Sequence, residues 1–372
     1  MKAVYITSQD MTDSTSGVNK KIRMQISAFS RLGVDMDIPD LAAHSWTDKI
    51  VRRLPFIKNE FEKKLKNYIV QSNFTDVDFV YIRHPMVSWQ FVQLLKKIKK
   101  TNNRIVYEFP TFPYDRNSKK FAAIFSLLKD KISRGKLHKY VDIGVDYSGF
   151  KEIYSIPCLC LSNGIDISMI STQNDIKNDD NTVRFIGVAL LANWNGYDRL
   201  ILAIKKYLEE KNALNVEFHI VGNGDVFYEL KRLIVKNNLE NVVFLHGFLS
   251  GKKLDNLYDM CDIGVGTLNP SRKYKNHIMS SLKTKEYAAK GMPFIKGDID
   301  SVFDEKSPDF VFNVLDDESE IRLKDIVQWY MDLMNKYGRK QLGMTIREFA
   351  KNELSWDNQM KVVINYLEKC MR

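Results

Sequence analysis

The chain has 372 residues, 44% of them hydrophobic and 27% charged, with 56 Lys and Arg against 46 Asp and Glu. At roughly 100–200 residues per domain that is enough apolar mass for two cores, which excludes a disordered chain and a small disulfide-stapled scaffold. Cys158, Cys160, Cys261 and Cys370 fit neither a disulfide framework nor a zinc spacing, so a reducing, cytoplasmic setting is expected.

The opening MKAVYITSQD has the character of a short strand and not of a cleavable leader. A loop around Gly17 follows, then a helix with Ile22, Ile26, Phe29 and Leu32 on one stripe and Gly33 as its C-terminal stop. Strands are predicted at 77–84 and 104–110, with helices between them. The longest clean apolar run, 121–128, falls well short of the ~20 residues that span a bilayer. The second half repeats the opening scheme: a strand at 182–189, a loop over 190–196, a helix from Tyr197 to Glu210, and a strand at 217–224. A helix to Asn237, a strand at 242–249, a helix over 254–260, a strand at 262–268 and a helix from Leu282 complete the series. Alternation of this kind predicts parallel sheets covered on both faces, hence an α/β chain of two doubly wound, Rossmann-like domains. The polar run 171–181 has no apolar periodicity and passes for a linker, so the boundaries are set at 1–166 and 167–355. The last stretch, 356–372, places Met360, Val363, Ile364 and Leu367 at helical spacing and is expected to dock back on the first domain.

Charge is uneven along the chain. Residues 1–166 carry 27 Lys and Arg against 17 Asp and Glu, whereas 167–372 carry 29 of each. Within the first half, 49–66 and 116–139 interleave cations with apolar residues. Such stretches suit peripheral contact with an anionic membrane face at roughly 1 kcal/mol per nearby Lys or Arg, or simply make solvated helix faces. Nucleic acid is not an expected partner, because no helix-turn-helix, RNP-type or zinc pattern accompanies the charge.

In open parallel sheets ligands sit beyond the carboxyl ends of the strands, and with two such domains a cleft between them is the expected site. Four segments of the second half fall at strand ends: Gly187 with its loop to Gly196, Gly222-Asn223-Gly224, Gly247-Phe248-Leu249, and 272–286. The last runs a cation-rich loop into a helix. Free backbone N–H groups, the positive helix end and Lys283 suit a diphosphate, and Glu286 one turn in suits the two hydroxyls of a ribose. Glu286 is equally spaced to pair with Lys283 or Lys290 as a plain salt bridge. In the first half Glu108, followed by Pro110, is a candidate general base, with Asp115 and His84 as further cleft residues. The Gly222-Asn223-Gly224 turn lacks the Lys-Ser/Thr of a phosphate loop, and Cys158 with Cys160 reads as core.

The segments FIGVALLANWNGYDRLI, HIVGNGD, VVFLHGFLSGKKLDNLYDMCDIGVG, SSLKTKEYAAKGMPFI and LSNGID resemble, in order and spacing, the bacterial GT4-type glycosyltransferases of polysaccharide clusters, which have the GT-B fold. The resemblance implies a retaining transfer from a nucleotide sugar, here a UDP-sugar, without a metal or other cofactor. It places the donor on the second domain and a glycan or lipid-linked acceptor on the first. Position by position, Glu286 matches the ribose-binding glutamate, Lys283 and Leu282 the diphosphate contacts, Phe248 and Leu249 the loop beside the base, and Gly17 the first-domain glycine loop. Gly187, Asn195, Arg199 and Gly222 complete the expected donor-binding set, with Lys283, Glu286 and Glu108 as the catalytic candidates. The family's other paired glutamate is Ile278 here, and two of its basic positions are Val188 and Asn195. Charge neutralisation is therefore expected from Lys283, Lys285, Arg272, Lys273 or Arg199, and a sugar contact from Asn276 or His277. These same departures support a competing reading, a GT-B scaffold without catalysis that binds a partner or a carbohydrate; a membrane adaptor would rest on the basic stretches alone.

Overall fold

The structure, a computed structural model, describes residues 1–13, 16–43, 59–72, 74–83, 86–101, 103–113, 121–174, 181–210, 214–272 and 280–371. The expectations placed on His84, Asp115, Lys273, Asn276, His277 and Ile278, and on 49–58 and 116–120 of the basic stretches, lie outside these residues. The chain divides into two compact units, Met1–Leu161 with Trp356–Arg372, and Ser162–Ser355.

In the first unit the described strands β1 (Lys2–Ile6), β2 (Asp35–Asp37), β3 (Phe79–Arg83), β4 (Arg104–Phe109), β5 (Ile143–Asp146), β6 (Glu152–Ile153) and β7 (Ile156–Cys160) form one sheet in the order β2-β1-β3-β4-β5-β7-β6. All pairings are parallel except β6 with β7. Strand periodicity explains the covering on both faces. Val4, Ile6, Val80 and Ile82 turn one way, onto Phe61 and Leu65 of α2 (Glu60–Gln71) and Phe91 and Leu95 of α3 (Trp89–Lys99). Ala3, Tyr5, Phe79 and Tyr81 turn the other way, onto Ile22 and Phe29 of α1 (Gly17–Arg31) and onto Trp356, Met360, Val363 and Leu367 of the C-terminal helix (Trp356–Met371). That last helix is packed against α1, where Arg31 forks onto the Asp357 carboxylate at 2.9 Å. On the remaining side α4 (Phe121–Arg134) leaves Leu128 and Ile132 exposed.

The second unit carries β8 (Thr182–Val188), β9 (Asn215–Val221), β10 (Val243–Gly247), β11 (Ile263–Val265), β12 (Phe294–Lys296) and β13 (Val311–Asn313), all parallel, in the order β10-β9-β8-β11-β12-β13. In chain order this is 3-2-1-4-5-6, the doubly wound arrangement whose switch point lies between the first and fourth strands, here β8 and β11. One face is covered by α5 (Tyr197–Glu209), α6 (Phe227–Lys236) and α10 (Leu323–Tyr337), through Leu200, Ile204, Leu230, Ile234 and Ile326. The other is covered by α7 (Lys252–Met260), α8 (Leu282–Lys290), α9 (Ser301–Lys306) and α11 (Arg339–Glu353), through Tyr258, Tyr287, Phe303 and Ile346.

The described part of the expected linker is not free chain. The Gln173 N–H donates to the Lys290 carbonyl at 2.9 Å and its side-chain amide donates to the Tyr258 carbonyl at 2.6 Å, while Asn174 is held by both oxygens of Asp259. The Gln173 side chain adds a second donor to the Tyr258 and Cys261 carbonyls at the end of α7, which also accept from the Cys261 N–H and from Arg339 respectively, a use that composition alone does not reveal. The break between units falls at 161/162, so the segment 162–166 belongs with the second unit.

Candidate active site

The switch point is built around two tyrosines and two glycines. Tyr287, on α8, places its hydroxyl between the diverging strands, where it accepts from the Val188 N–H at 3.2 Å and donates to the Val265 carbonyl at 3.0 Å. Tyr197, opening α5, also reaches the Val265 carbonyl, at 3.4 Å. Both rings fit only because Gly187 and Gly264 carry no side chain: a Cβ on Gly187 would lie 2.7 Å from Tyr197 Cζ, and one on Gly264 would lie 2.5 Å from Tyr287 Cγ. Gly187 therefore makes room for packing, and the contact expected of it with the donor is not needed to explain it.

The loops at the strand ends are fixed by the same kind of close approach. A Cβ on Gly222 would come within 1.8 Å of the Ala189 carbonyl oxygen, and its φ of +129° disfavours any other residue. Ala189 and Leu191 bond into the Val221 and Asn223 carbonyls, so the Gly222-Asn223-Gly224 turn clamps the loop after β8. Asn195, expected to touch the donor, is buried and closes that loop, its Oδ1 accepting from the Ala192 N–H at 2.8 Å. Gly247 bonds its carbonyl to Gly222, and a register irregularity at the end of β10 turns Phe248 outward. Phe248 is 74% exposed, a large unpartnered ring beside the strand ends, whereas Leu249 packs against the core beneath. Gly17 opens α1 with nothing within 4 Å of where its Cβ would stand. Ser16 caps that helix by accepting from the Asn19 N–H.

Of the cations proposed for a diphosphate, the structure removes three. Arg199 is buried and donates to the Leu268, Leu315 and Ser319 carbonyls, tying the loops after β11 and β13. Arg272 forks onto Asp198 and Glu318. Lys285 is sealed in an ion pair with Asp300. These are corrections: the head groups of Arg199, Arg272 and Lys285 are committed to carbonyls and carboxylates of the protein itself, although Arg199 Nε is buried without a hydrogen-bond partner among the described residues.

Lys283 differs. Its Nζ is buried and has no hydrogen-bond partner among the described residues, and it lies 5.4 Å from the Tyr197 ring centroid. Burial lowers its pKa to about 8, against the opposing influence of Asp298. Asp298 is itself buried, and among the described residues no other residue hydrogen-bonds either carboxylate oxygen. Burial raises its pKa to about 6, which Lys296 opposes and Asp300 reinforces. A buried ammonium without a partner is costly, and in a folded protein such a group marks a place where an anion is missing. Lys283 also stands in the first turn of α8, whose cap Ser281 makes no side-chain bond to it, so the N–H groups of that turn are unclaimed by a cap. Leu282 at its tip is 53% exposed. One turn further, Glu286 is half-buried and receives the Tyr258 hydroxyl at 3.5 Å, which orients it. Neither expected salt bridge forms, since Lys290 pairs instead with Asp255. Asp298 was missed by sequence reading; the only signal was an acidic residue two positions past a buried strand.

Glu108 is not available as a base. It is fully buried, its Oε2 accepting from the Tyr81 hydroxyl at 2.8 Å and Gln25 Nε2 at 2.9 Å, its Oε1 facing Arg83 and, at 3.5 Å, Lys21. Burial would raise its pKa, but Arg83 and Lys21 outweigh that and hold it below the ordinary value. A cavity of about 380 Å³ lies elsewhere, at the amino-terminal ends of β11 and β12 between Asp262, Pro293 and Arg339, with no part in the strand-end site. Among the described residues no group of His, Cys, Asp and Glu is arranged to hold a metal ion.

Residues 167–269, from just before β8 to just past β11, match the family described as Glycosyl transferases group 1. The match is confined to this part of the second unit. The fold of the chain is the GT-B fold. A glycosyltransferase from Rickettsia africae superposes with a TM-score of 0.64 at 15% identity, over 100% of this chain and 98% of that one. The Anabaena protein Alr3699/HepE, solved in complex with UDP, gives 0.61 at 11% identity and 99% coverage of both chains. The lipopolysaccharide outer core galactosyltransferase WaaB gives 0.59 at 15% identity, over 98% of this chain and 99% of that one. No curated protein sequence matches this one. The matched glycosyltransferase segment supplies the β8 and β11 side of the switch point; α8, which follows it, supplies Lys283 and Glu286.

Proposed function

We propose that the protein transfers a sugar from a nucleotide sugar, a UDP-sugar first among them, to a glycan or lipid-linked glycan precursor, with retention and without a resident metal. The observation that carries this is the first turn of α8, held at the switch point by Tyr287, where the buried Lys283 ammonium has no hydrogen-bonded partner among the described residues. A donor's diphosphate fits that turn: its charge meets the helix N–H groups and Lys283. Glu286, oriented by Tyr258, then accepts from the ribose hydroxyls, and Phe248 offers its face to the base. As the bond between sugar and diphosphate breaks, negative charge grows on the leaving group, and preorganised donors aimed there are the largest catalytic contribution to be expected. Glu108 ties Tyr81, Gln25, Arg83 and Lys21 into one buried network and takes no proton. On α4, Leu128 and Ile132 stand exposed one turn apart beside the exposed Lys131, a surface suited to an anionic bilayer that would bring a lipid-linked acceptor close.

The test is a panel of nucleotide sugars incubated with the protein and glycan acceptors, read as release of nucleoside diphosphate. One donor class should be consumed, and Glu286→Ala should abolish the release. A folded protein that consumes none, and that no nucleoside diphosphate stabilises, would instead fit the scaffold reading suggested by Ile278, Val188 and Asn195. Co-sedimentation with anionic vesicles, reduced by Ile132→Asp, checks the bilayer surface.

A further inference from the structure

The first unit holds a second polar constellation, at the carboxyl ends of β3, β4 and β5, that donor binding leaves unused. Its hydrogen bonds do not balance. Glu108 is saturated, with the Tyr81 hydroxyl, Gln25 Nε2, Arg83 and Lys21 on its two oxygens. Gln25 Oε1 takes the Tyr5 hydroxyl at 2.9 Å, and Gln25 Nε2 also reaches the Tyr147 oxygen at 2.9 Å. Donors remain over. Lys21 has three N–H bonds and one carboxylate oxygen, 3.5 Å away. The Trp356 indole N–H, on a side chain only 1% exposed, has no acceptor among the described residues. Two cations, Arg83 and Lys21, share a single carboxylate.

The surplus donors share a corner. Lys21 Nζ lies 3.5 Å from the Tyr147 ring centroid and 5.5 Å from that of Trp356, and the two rings meet edge to face at 6.4 Å. The Lys21 side chain keeps 12% of its surface open to solvent. Sheets of this order bind ligands at the carboxyl ends next to the switch between their first and third strands, here β1 and β3, whose Tyr5 and Tyr81 stack at 5.1 Å beneath the corner's hydrogen-bond network.

We propose that this corner is a subsite for a negatively charged group of the sugar acceptor, a carboxylate or a phosphate, received by Lys21 Nζ and the Trp356 indole N–H. A neutral sugar hydroxyl would leave the excess charge uncompensated; an anion removes it and supplies the missing acceptors at once. Burial already lowers the Lys21 pKa to about 8 in spite of Glu108, so the ammonium gains from any added anion. The groups facing it are Glu108, Arg83, Tyr5, Tyr81 and Tyr147; with Tyr5, Tyr81 and Tyr147 pushed well above the ordinary range by burial, Lys21 is the one that changes charge near pH 8. The word acceptor rests on the glycosyltransferase reading; the anion subsite does not.

The experiment is saturation-transfer NMR on the full chain with D-glucuronate, glucose 6-phosphate and glucose, at pH 7 and pH 9. At pH 7 at least one anion should bind about tenfold or more tightly than glucose. Glucuronate alone assigns the carboxylate arm and glucose 6-phosphate alone the phosphate arm. Lys21→Met should erase the preference, Lys21→Arg should keep it, and Trp356→Phe, which retains a ring, should weaken it several-fold. At pH 9 the wild-type preference should shrink. Equal binding of glucose and both anions, no binding of any, or a preference that survives Lys21→Met overturns the proposal. A UDP titration of each variant separates the two readings: wild type that ignores UDP but prefers an anion sinks the donor site and leaves the subsite standing.

Discussion

Replacing Lys283 by Met separates stability from function at one atom. The wild-type ammonium is enclosed without a hydrogen bond, and the fall of its pKa from 10.5 to about 8 makes the charged form roughly 3 kcal/mol costlier in the fold than in the unfolded chain. Part of that relief is lost in the variant because Asp298 forfeits a nearby positive charge, so a gain of about 1–3 kcal/mol at neutral pH is expected. For a domain of this size it should raise the melting temperature of the second unit by roughly 2–4 °C per kcal/mol. The sign has a second signature. Because the unfolded chain holds this proton more tightly, the wild type should gain stability as pH rises from about 8 towards 10.5, and the variant should lack that gain. UDP binding should move the opposite way, falling about 10–100-fold with the loss of a charged hydrogen bond of roughly 1.5–3 kcal/mol. Equilibrium urea unfolding across pH, with and without UDP, together with calorimetric titration, reads all three. A variant that is less stable than wild type, or binds UDP as well, refutes the reasoning.

Glu286→Gln should lower UDP affinity about tenfold yet leave 2′-deoxy-UDP nearly unchanged, because only the former offers the hydroxyl pair; calorimetric titration of both ligands decides it. Glu108→Gln strands Arg83 and Lys21 without their carboxylate and should cost about 3–5 kcal/mol in urea unfolding at neutral pH, with residual transfer in whatever fraction folds. With its pKa held below 4.5, the Glu108 contribution is complete above that value and is lost as pH falls below it, so the gap between wild type and variant should close in acid. Gly222→Ala drives a Cβ against the Ala189 carbonyl at a positive φ and should cost about 2–4 kcal/mol, seen as an earlier urea midpoint.

The alternation of strand and helix was legible because the central strands are buried on both faces and the helices carry apolar stripes; 182–189, 242–249 and 356–371 fold as their spacing predicts, within a residue or two at each end. Turn glycines were legible as positions but not as reasons. Gly187 and Gly222 exist for Tyr197 and for the loop after β8, partners that only the sheet brings together. The cations were the least legible: Arg199, Arg272 and Lys285 look as suitable as Lys283 along the chain, and what separates them is whether a carboxylate or carbonyl arrives from a distant loop. The unpaired Trp356 N–H and Asp298 carboxylate were invisible for the same reason, since being unpartnered is a property of surroundings.

The most direct test of the donor site is amide hydrogen exchange with and without UDP. Protection concentrated at 282–284 and 247–249 is the predicted result. Binding with no added protection there, or with protection at 339–347 around the cavity at the other end of the sheet, would contradict it.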